Sequence, residues 1–161
     1  MINFYYDKKT ITIMKRKILP PMYFLLSLIL LITLYFNFSI IKFIYPPYNW
    51  IGILFIIFGI TMNLWANNLF KKKGTAVNPN EKPSVLITNG PFRLSRNPMY
   101  LGMTAILLGI SIISNSLITL IAPVLFIIII QILFITAEEK LLESIFNKEY
   151  LDYKEKVRRW I

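Results

Sequence analysis

Two polar stretches carry the residue types that could do chemistry. The first is Thr88 to Gly102 (TNGPFRLSRNPMYLG), which gathers Arg96, Asn97 and Tyr100 around Pro98. The second runs from the paired acids Glu138 and Glu139 to Ile161. Asn97 suits a helix N-cap and Pro98 the first helical position, where a missing N–H is not needed. The free N–H groups and positive dipole end of such a helix make a small anion site, and Arg96 adds charge beside it. Gly102, one turn on, lets a ligand or another backbone approach closely. Acids at the end of an apolar helix oppose its dipole, so Glu138 and Glu139 stand where local energetics disfavour them. As acceptors they suit ribose hydroxyls, an α-amino group or a cationic centre. The plainer readings are a basic loop anchoring a helix, with Tyr100 as an interfacial aromatic, and a pair of solvated interface acids.

Composition narrows the chemistry further. The 161-residue chain has no Cys and no His. Disulfides, thiolate nucleophiles, Cys-ligated metals and prenylation of the chain itself are thereby excluded. The commonest general base and the commonest metal ligand are missing too, so no metal is expected. Catalysis would have to run on carboxylates, Arg, Tyr, backbone groups or a cofactor. The length suits one domain, and 56% hydrophobic residues is too many for a soluble fold of this size.

The net charge of +10 points to anionic lipid headgroups or nucleic acid. Five Lys/Arg fall in 1–17, one in 18–70, six in 71–98, none in 99–137 and six in 138–161. The charges bracket apolar runs instead of forming a stripe with aromatics, which favours membrane flanks over a nucleic-acid groove.

Those apolar runs are the elements that must position the polar stretches. Residues 1–17 form a basic N-terminal segment in which Met14 is an alternative start to Met1. A signal peptide is disfavoured because the following run is too long and no small-residue cleavage site follows. Ile18 to Ile41 is uncharged and long enough to span a bilayer as helix 1, starting near Pro20-Pro21. Lys42 to Asn49 reads as a short interfacial loop and Trp50 to Phe70 as helix 2. In helix 2, Gly52 and Gly59 share a face and allow close packing, while Asn63, Asn67 and Asn68 should face protein or a cavity. Lys71 to Asn97 is a 27-residue connection, long enough to suggest function.

Residues 98–137 are uncharged over 40 positions, about 60 Å as one helix and too long for one crossing. A turn at Ser114-Asn115-Ser116 splits them into a short helix 3 (98–113) and helix 4 (117–137), a tight hairpin. Beyond Glu138 the apolar residues recur at helical spacing up to Trp160, predicting an amphipathic interfacial helix that breaks near Asn147. This aromatic tail reads as a membrane anchor or as a lid over the site. The expected fold is therefore an all-α integral membrane protein of about four transmembrane helices, helices 3 and 4 forming a hairpin, plus a C-terminal amphipathic interfacial helix. Residues 18–161 form its single domain, with the cofactor region in 71–161. Seventeen of the 18 basic residues lie on the side of both termini, which the positive-inside rule makes cytoplasmic. The hairpin returns Glu138 to the start of helix 3, near Arg96 and Tyr100.

The run Gly74-Thr75, Val77, Pro79, Leu86 to Arg93 and Ser95 to Gly102, followed by Glu138-Glu139 and FNKEYLDYKEKVRRWI, resembles the small prokaryotic isoprenylcysteine carboxyl methyltransferases. It is similar also to the related phospholipid N-methyltransferases, which share an NPMYxG-type stretch and a Glu pair. The resemblance covers roughly residues 50–161 and implies a membrane enzyme using S-adenosyl-L-methionine at the cytoplasmic side. Carried over, the cofactor contacts would be Leu86, Ile87, Thr88, Gly90, Arg96, Asn97, Pro98, Tyr100, Gly102 and Glu138, with Glu139 joining Arg96, Tyr100 and Glu138 at the catalytic centre.

Two departures separate this chain from the prenylcysteine enzymes. Those have His where Asn97 stands, and an Arg shortly before the Glu pair, where this chain reads Phe134-Ile135-Thr136-Ala137. Asn97 is closer to the phospholipid enzymes. The implied acceptor is a small amphiphile in the bilayer, either a prenylcysteine-like carboxylate or a lipid amine. The alternatives are an NADPH-dependent reductase of lipid or sterol double bonds, which shares an Arg-X-Pro-X-Tyr stretch, and a non-catalytic protein binding anionic lipid.

Overall fold

The computed structural model describes residues 19–38, 42–75 and 81–161. The basic segment 1–17, and Val77 and Pro79 of the connection, lie outside the described residues. Among the described residues the chain is all-helical, without strands. Five α-helices follow in order: α1 (Pro20–Phe38), α2 (Gly52–Lys73), α3 (Pro98–Ile113), α4 (Ile121–Ile130) and α5 (Thr136–Lys156). One-turn 3₁₀ segments at Tyr48–Ile51, Gly90–Arg93 and Leu117–Leu120 lead into three of them, and a π-helical turn, Gln131–Ile135, joins α4 to α5.

Three stretches are long and apolar enough to cross a membrane: Pro20–Phe38, Tyr48–Lys73 and Leu117–Lys156. Their outward faces carry Leu25, Ile29, Phe36, Leu54, Leu64, Val124 and Ile132, each at least half exposed or nearly so. That surface would be costly in water and matches lipid. α3 has 16 residues, about 24 Å at 1.5 Å per residue, and falls short of the ~30 Å hydrocarbon core.

α2 runs three residues beyond the expected end at Phe70 and stops where Gly74 adopts φ 61°. There Thr75 N–H reaches Phe70 O at 3.3 Å and Gly74 N–H reaches Lys71 O at 3.2 Å, a Schellman termination that only a residue tolerant of the left-handed region makes cheaply. α3 starts at Pro98 as expected, but Asn97 does not cap it. Its side-chain amide donates instead to the carbonyl of Arg159 at 3.0 Å, and no side chain caps the first turn.

The short α3 ends in a turn closed by its own polar groups and by the loop before α2, as backbone at membrane depth requires. Asn115, at φ 53°, accepts Ile44 N–H at 2.8 Å. Asn49 donates to the Ile113 carbonyl at 3.1 Å, and the Thr119 hydroxyl donates to Ser116 O at 2.6 Å.

α3 packs most extensively on α2, and α4 packs chiefly on α1. Four glycines explain the first pairing. Gly52 meets Gly109 and Gly59 meets Gly102 so closely that a Cβ on Gly52 or Gly59 would stand 2.4 Å from the partner's carbonyl oxygen. Small residues seven apart on both antiparallel helices bring the backbones into contact. Gly102 is thus approached by another backbone, with the Asn63 amide beside it. Asn63 and Asn67 are half-buried, whereas Asn68, one turn from Lys71–Lys73, is exposed. α1 meets α4 and the π-helical turn through edge-on ring pairs, Phe24–Phe126 at 6.3 Å on α4 and Tyr23–Phe134 at 5.5 Å on the turn. Asn147 breaks α5 at φ 45°, ψ −118°, the position where a break is expected. Beyond it Tyr150 and Tyr153 are buried against Ala66, Ile87 and Phe92, so the tail turns its aromatic face onto the protein.

Candidate active site

The start of α3 and the start of α5 meet at one end of the bundle. Pro98 sets the entry of α3, and the continuous Leu117–Lys156 helical stretch carries the Glu pair back beside it. Between them lies a cavity of about 400 Å³, bounded by Leu19–Pro21 before and in α1, Phe70 of α2, Phe92 of the loop, Arg96–Tyr100 and Met103, and Glu138, Leu141 and Leu142 of α5. That volume falls within the range of small-molecule sites, ~300–1,000 Å³. Pro83 and Glu81 of the connection complete its rim; the walls are mainly apolar, with a few polar groups converging from Glu81, Arg96, Asn97, Tyr100 and Glu138.

The two acids have different partners. Tyr100 donates its hydroxyl hydrogen to Glu138 Oε1 at 2.5 Å, a short bond linking α3 to α5 across the cavity wall. Glu139, 6% exposed, does not line the cavity and sits between two guanidinium groups. Arg96 Nη2 approaches it at 3.3 Å. Arg159 grips it in a fork, with Nε 3.0 Å from Oε1 and Nη2 2.5 Å from Oε2. The bonded carboxylate holds the Arg159 guanidinium above its ordinary pKa, so this cation stays charged. Arg96, whose side chain is 9% exposed, has further N–H groups at Nε and Nη1 that are buried without a hydrogen-bond partner. Buried donors of this kind are costly unless something fills them. The buried Tyr150 hydroxyl lies beside the Arg96 guanidinium, an electrostatic contact that falls short of a well-formed hydrogen bond.

Of the candidate residues, Arg96, Asn97, Pro98, Tyr100 and Glu138 line this one cavity, and Glu139 lies directly behind it. The others lie elsewhere. Leu86 and Ile87 pack into the apolar cluster under Tyr150 and Tyr153, and Thr88 is exposed. Gly90, at φ 61°, lies against the Trp65 ring, and Gly102 faces α2.

Sequence reasoning did not find the parts that Arg159, Gln131 and Ser95 play here. The Arg159 carbonyl accepts from Ser95 Oγ at 3.1 Å and from Asn97 Nδ2 at 3.0 Å. Trp160 Nε1 donates to Gln131 Oε1 at 2.9 Å. A signal existed for one of them: Gln131 is a lone amide in an apolar run, and such a group needs a partner.

No group of Asp and Glu suited to a metal ion occurs among the described residues. A bound S-adenosylmethionine is tested by the donor set. The unpartnered Arg96 N–H groups suit its carboxylate, Glu138 suits its cationic end, and the apolar walls suit the adenine ring and an acceptor's hydrocarbon. The residues fit the group.

An uncharacterized protein of Haemophilus influenzae is 40% identical over 63 residues, 39% of this chain and the whole of that protein. No solved structure matches the chain. A match to the phospholipid methyltransferase family covers residues 47–149, from the turn before α2 to the second piece of α5. That family stands with the isoprenylcysteine carboxyl methyltransferases in one group of membrane methyltransferases. With its apolar helices, this multi-pass membrane chain belongs to the phospholipid methyltransferase family.

Proposed function

We propose that the protein transfers a methyl group from S-adenosylmethionine to an amphiphilic acceptor held in the bilayer, and that the acceptor is a lipid amine. The observation that carries this reading is the Tyr100–Glu138 bond beside a cavity that Arg96 also lines. When bound, the cofactor supplies a methyl group already activated on a sulfonium, so a chain without His or Cys needs only positioning, water exclusion and charge matching.

Arg96 would hold the cofactor carboxylate through Nε and Nη1. Asn97 and Pro98 set the uncapped first turn of α3 beside it, where backbone N–H groups favour an anion. Glu138 would attract the cationic end and take the proton that an amine must lose, at Oε2, the oxygen not engaged by Tyr100. Tyr100 fixes the orientation of that carboxylate. Phe70, Phe92, Met103 and Leu142 would keep water out and receive the acceptor's hydrocarbon from the bilayer side. The amine is favoured over a carboxylate acceptor because Glu138 would repel a second carboxylate. The basic residues gathered at this end support a cytoplasmic orientation for it.

The test is S-adenosylhomocysteine binding to detergent-solubilised protein, together with labelled-methyl transfer in native membranes and identification of the labelled lipid. Binding to wild type that is lost in Glu138→Ala, and label in an amine-bearing lipid, are expected. Undiminished binding in both Glu138→Ala and Arg96→Ala would remove the site. Label in a carboxyl ester would remove the amine, and NADPH oxidation with an enone would remove methyl transfer itself.

A further inference from the structure

The segment that ties the candidate site together lies outside the family match, at the end of the chain. α5 stops at Lys156 and Val157 is extended, at φ −125°, ψ 129°. The next three residues cross the start of α3. Their main chain bonds to one wall of the cavity: Arg158 O accepts Arg96 N–H at 3.0 Å, and Arg159 O accepts from both Ser95 and Asn97. Their side chains bond to the other wall. The Arg159 guanidinium holds Glu139, and the Trp160 indole holds Gln131 on the π-helical turn while packing against the α1–α4 core. None of the three lines the cavity.

We propose that Arg158–Trp160 is a clasp in which Arg159 and Trp160 are positioning residues, setting Arg96 and Asn97 against Tyr100 and Glu138 without touching any ligand. For the ligand it names, the proposal rests on the methyl-transfer reading. Glu139 is buried between Arg96 and Arg159, and its charge is shared between them. Without Arg159 the buried carboxylate would have Arg96 alone as its cation, and would draw that guanidinium fully onto itself and away from the cavity. Arg159 thus decides how much of Arg96 remains for a ligand. Trp160 acts one wall over. A π turn winds one residue wider than an α turn, so the register of Glu138 against Tyr100 depends on that turn holding its shape. The Thr136 hydroxyl bonds to Gln131 O at 2.9 Å within the turn, and the indole fastens the Gln131 side chain from outside.

The experiment uses the full chain in detergent, with S-adenosylhomocysteine affinity measured by titration calorimetry and Tm in parallel. Arg159→Gln should weaken binding about tenfold with Tm little changed, the size expected when a charged hydrogen bond from Arg96 to the ligand is lost, and Arg159→Lys should fall between it and wild type. The decisive variant is Glu139→Gln with Arg159→Gln, which frees Arg96 and should bind more tightly than Arg159→Gln alone. A merely structural loss would not be rescued by a second lesion. Lys154→Gln, on the exposed Lys154–Glu143 pair, serves as the unchanged control. Arg159→Gln affinity within about twofold of wild type, or a double variant no tighter than the single, would overturn the proposal.

If wild type binds no S-adenosylhomocysteine, the methyl-transfer reading falls and the clasp is judged by trypsin alone. Trp160→Ala should then be cut after Lys156 and Arg158 about tenfold faster than wild type, with the rest of the chain cut at the wild-type rate. Equal tail cleavage would overturn the clasp.

Discussion

Two neighbouring acids, directly after an apolar run, acquire different surroundings because helical geometry sends consecutive residues about 100° apart. Glu138 faces the cavity and is bonded by a neutral hydroxyl, whereas Glu139 faces away and is bonded by two cations. An acid held by a hydroxyl remains available to a cationic ligand; one held by two guanidinium groups does not. Glu138→Gln, which keeps the shape and removes the charge, is expected to lower kcat by about 10²–10⁴-fold if Glu138 takes the proton of the acceptor. Tyr100→Phe removes only the orienting bond and should cost much less, with a rise in KM smaller than the fall in kcat. Steady-state transfer with a saturating lipid amine measures both, and equal kcat values for the two variants would remove the base from Glu138.

The decisive element is the α2–α3 pair, since it fixes where α3 starts and therefore where Tyr100 stands. Its four glycines leave no room for a side chain on the shared face. Gly59→Ala would press a methyl group into the Gly102 carbonyl and should destabilise the fold by about 1–3 kcal/mol, read as a lower Tm in detergent. An unchanged Tm would mean that the helices are not in backbone contact. The kink in α5 gives a second test. Asn147 at positive φ should tolerate Gly and resist Ala, with Asn147→Ala less stable than Asn147→Gly by about 1 kcal/mol. The opposite order would argue for an unbroken α5 helix.

The whole molecule must present its cavity to one aqueous side. Lys71–Lys73 at the end of α2 and Tyr48 before its start lie at opposite ends of one spanning helix. A chain without Cys is a ready background for single-cysteine labelling. Lys72→Cys should react with a membrane-impermeant maleimide only in inverted vesicles, and Tyr48→Cys only in intact cells, if the basic side is cytoplasmic. The reverse pattern would turn the cavity outward and separate it from the cytoplasmic cofactor pool.

Much of this architecture was legible in local chemistry. The uncharged stretches, the proline opening α3, the turn at Ser114-Asn115-Ser116 and the break at Asn147 all express short-range rules of polarity and backbone freedom, and each appears where the chain alone puts it. The proximity of Glu138 to Tyr100 followed from the lengths of two apolar runs that must fold back on each other.

What the chain could not reveal by itself were contacts that depend on three-dimensional register. Gly102 and Gly109 face Gly52 and Gly59 across a packed interface; the sequence allowed close approach at Gly52, Gly59 and Gly102 but not that these faces would meet one another. Asn97 has the composition of a cap, yet the Arg159 carbonyl takes its amide, because a segment some sixty residues away returns to it. Glu138 and Glu139 are chemically identical, and only the packing of α5 against α3 makes one a cavity wall and the other the centre of an arginine clasp. Residue type and spacing determined the helices and where they bend; which faces meet, and hence which polar groups stay free for a ligand, was decided by tertiary packing, since exclusion of solvent depends on contacts between segments distant in the chain.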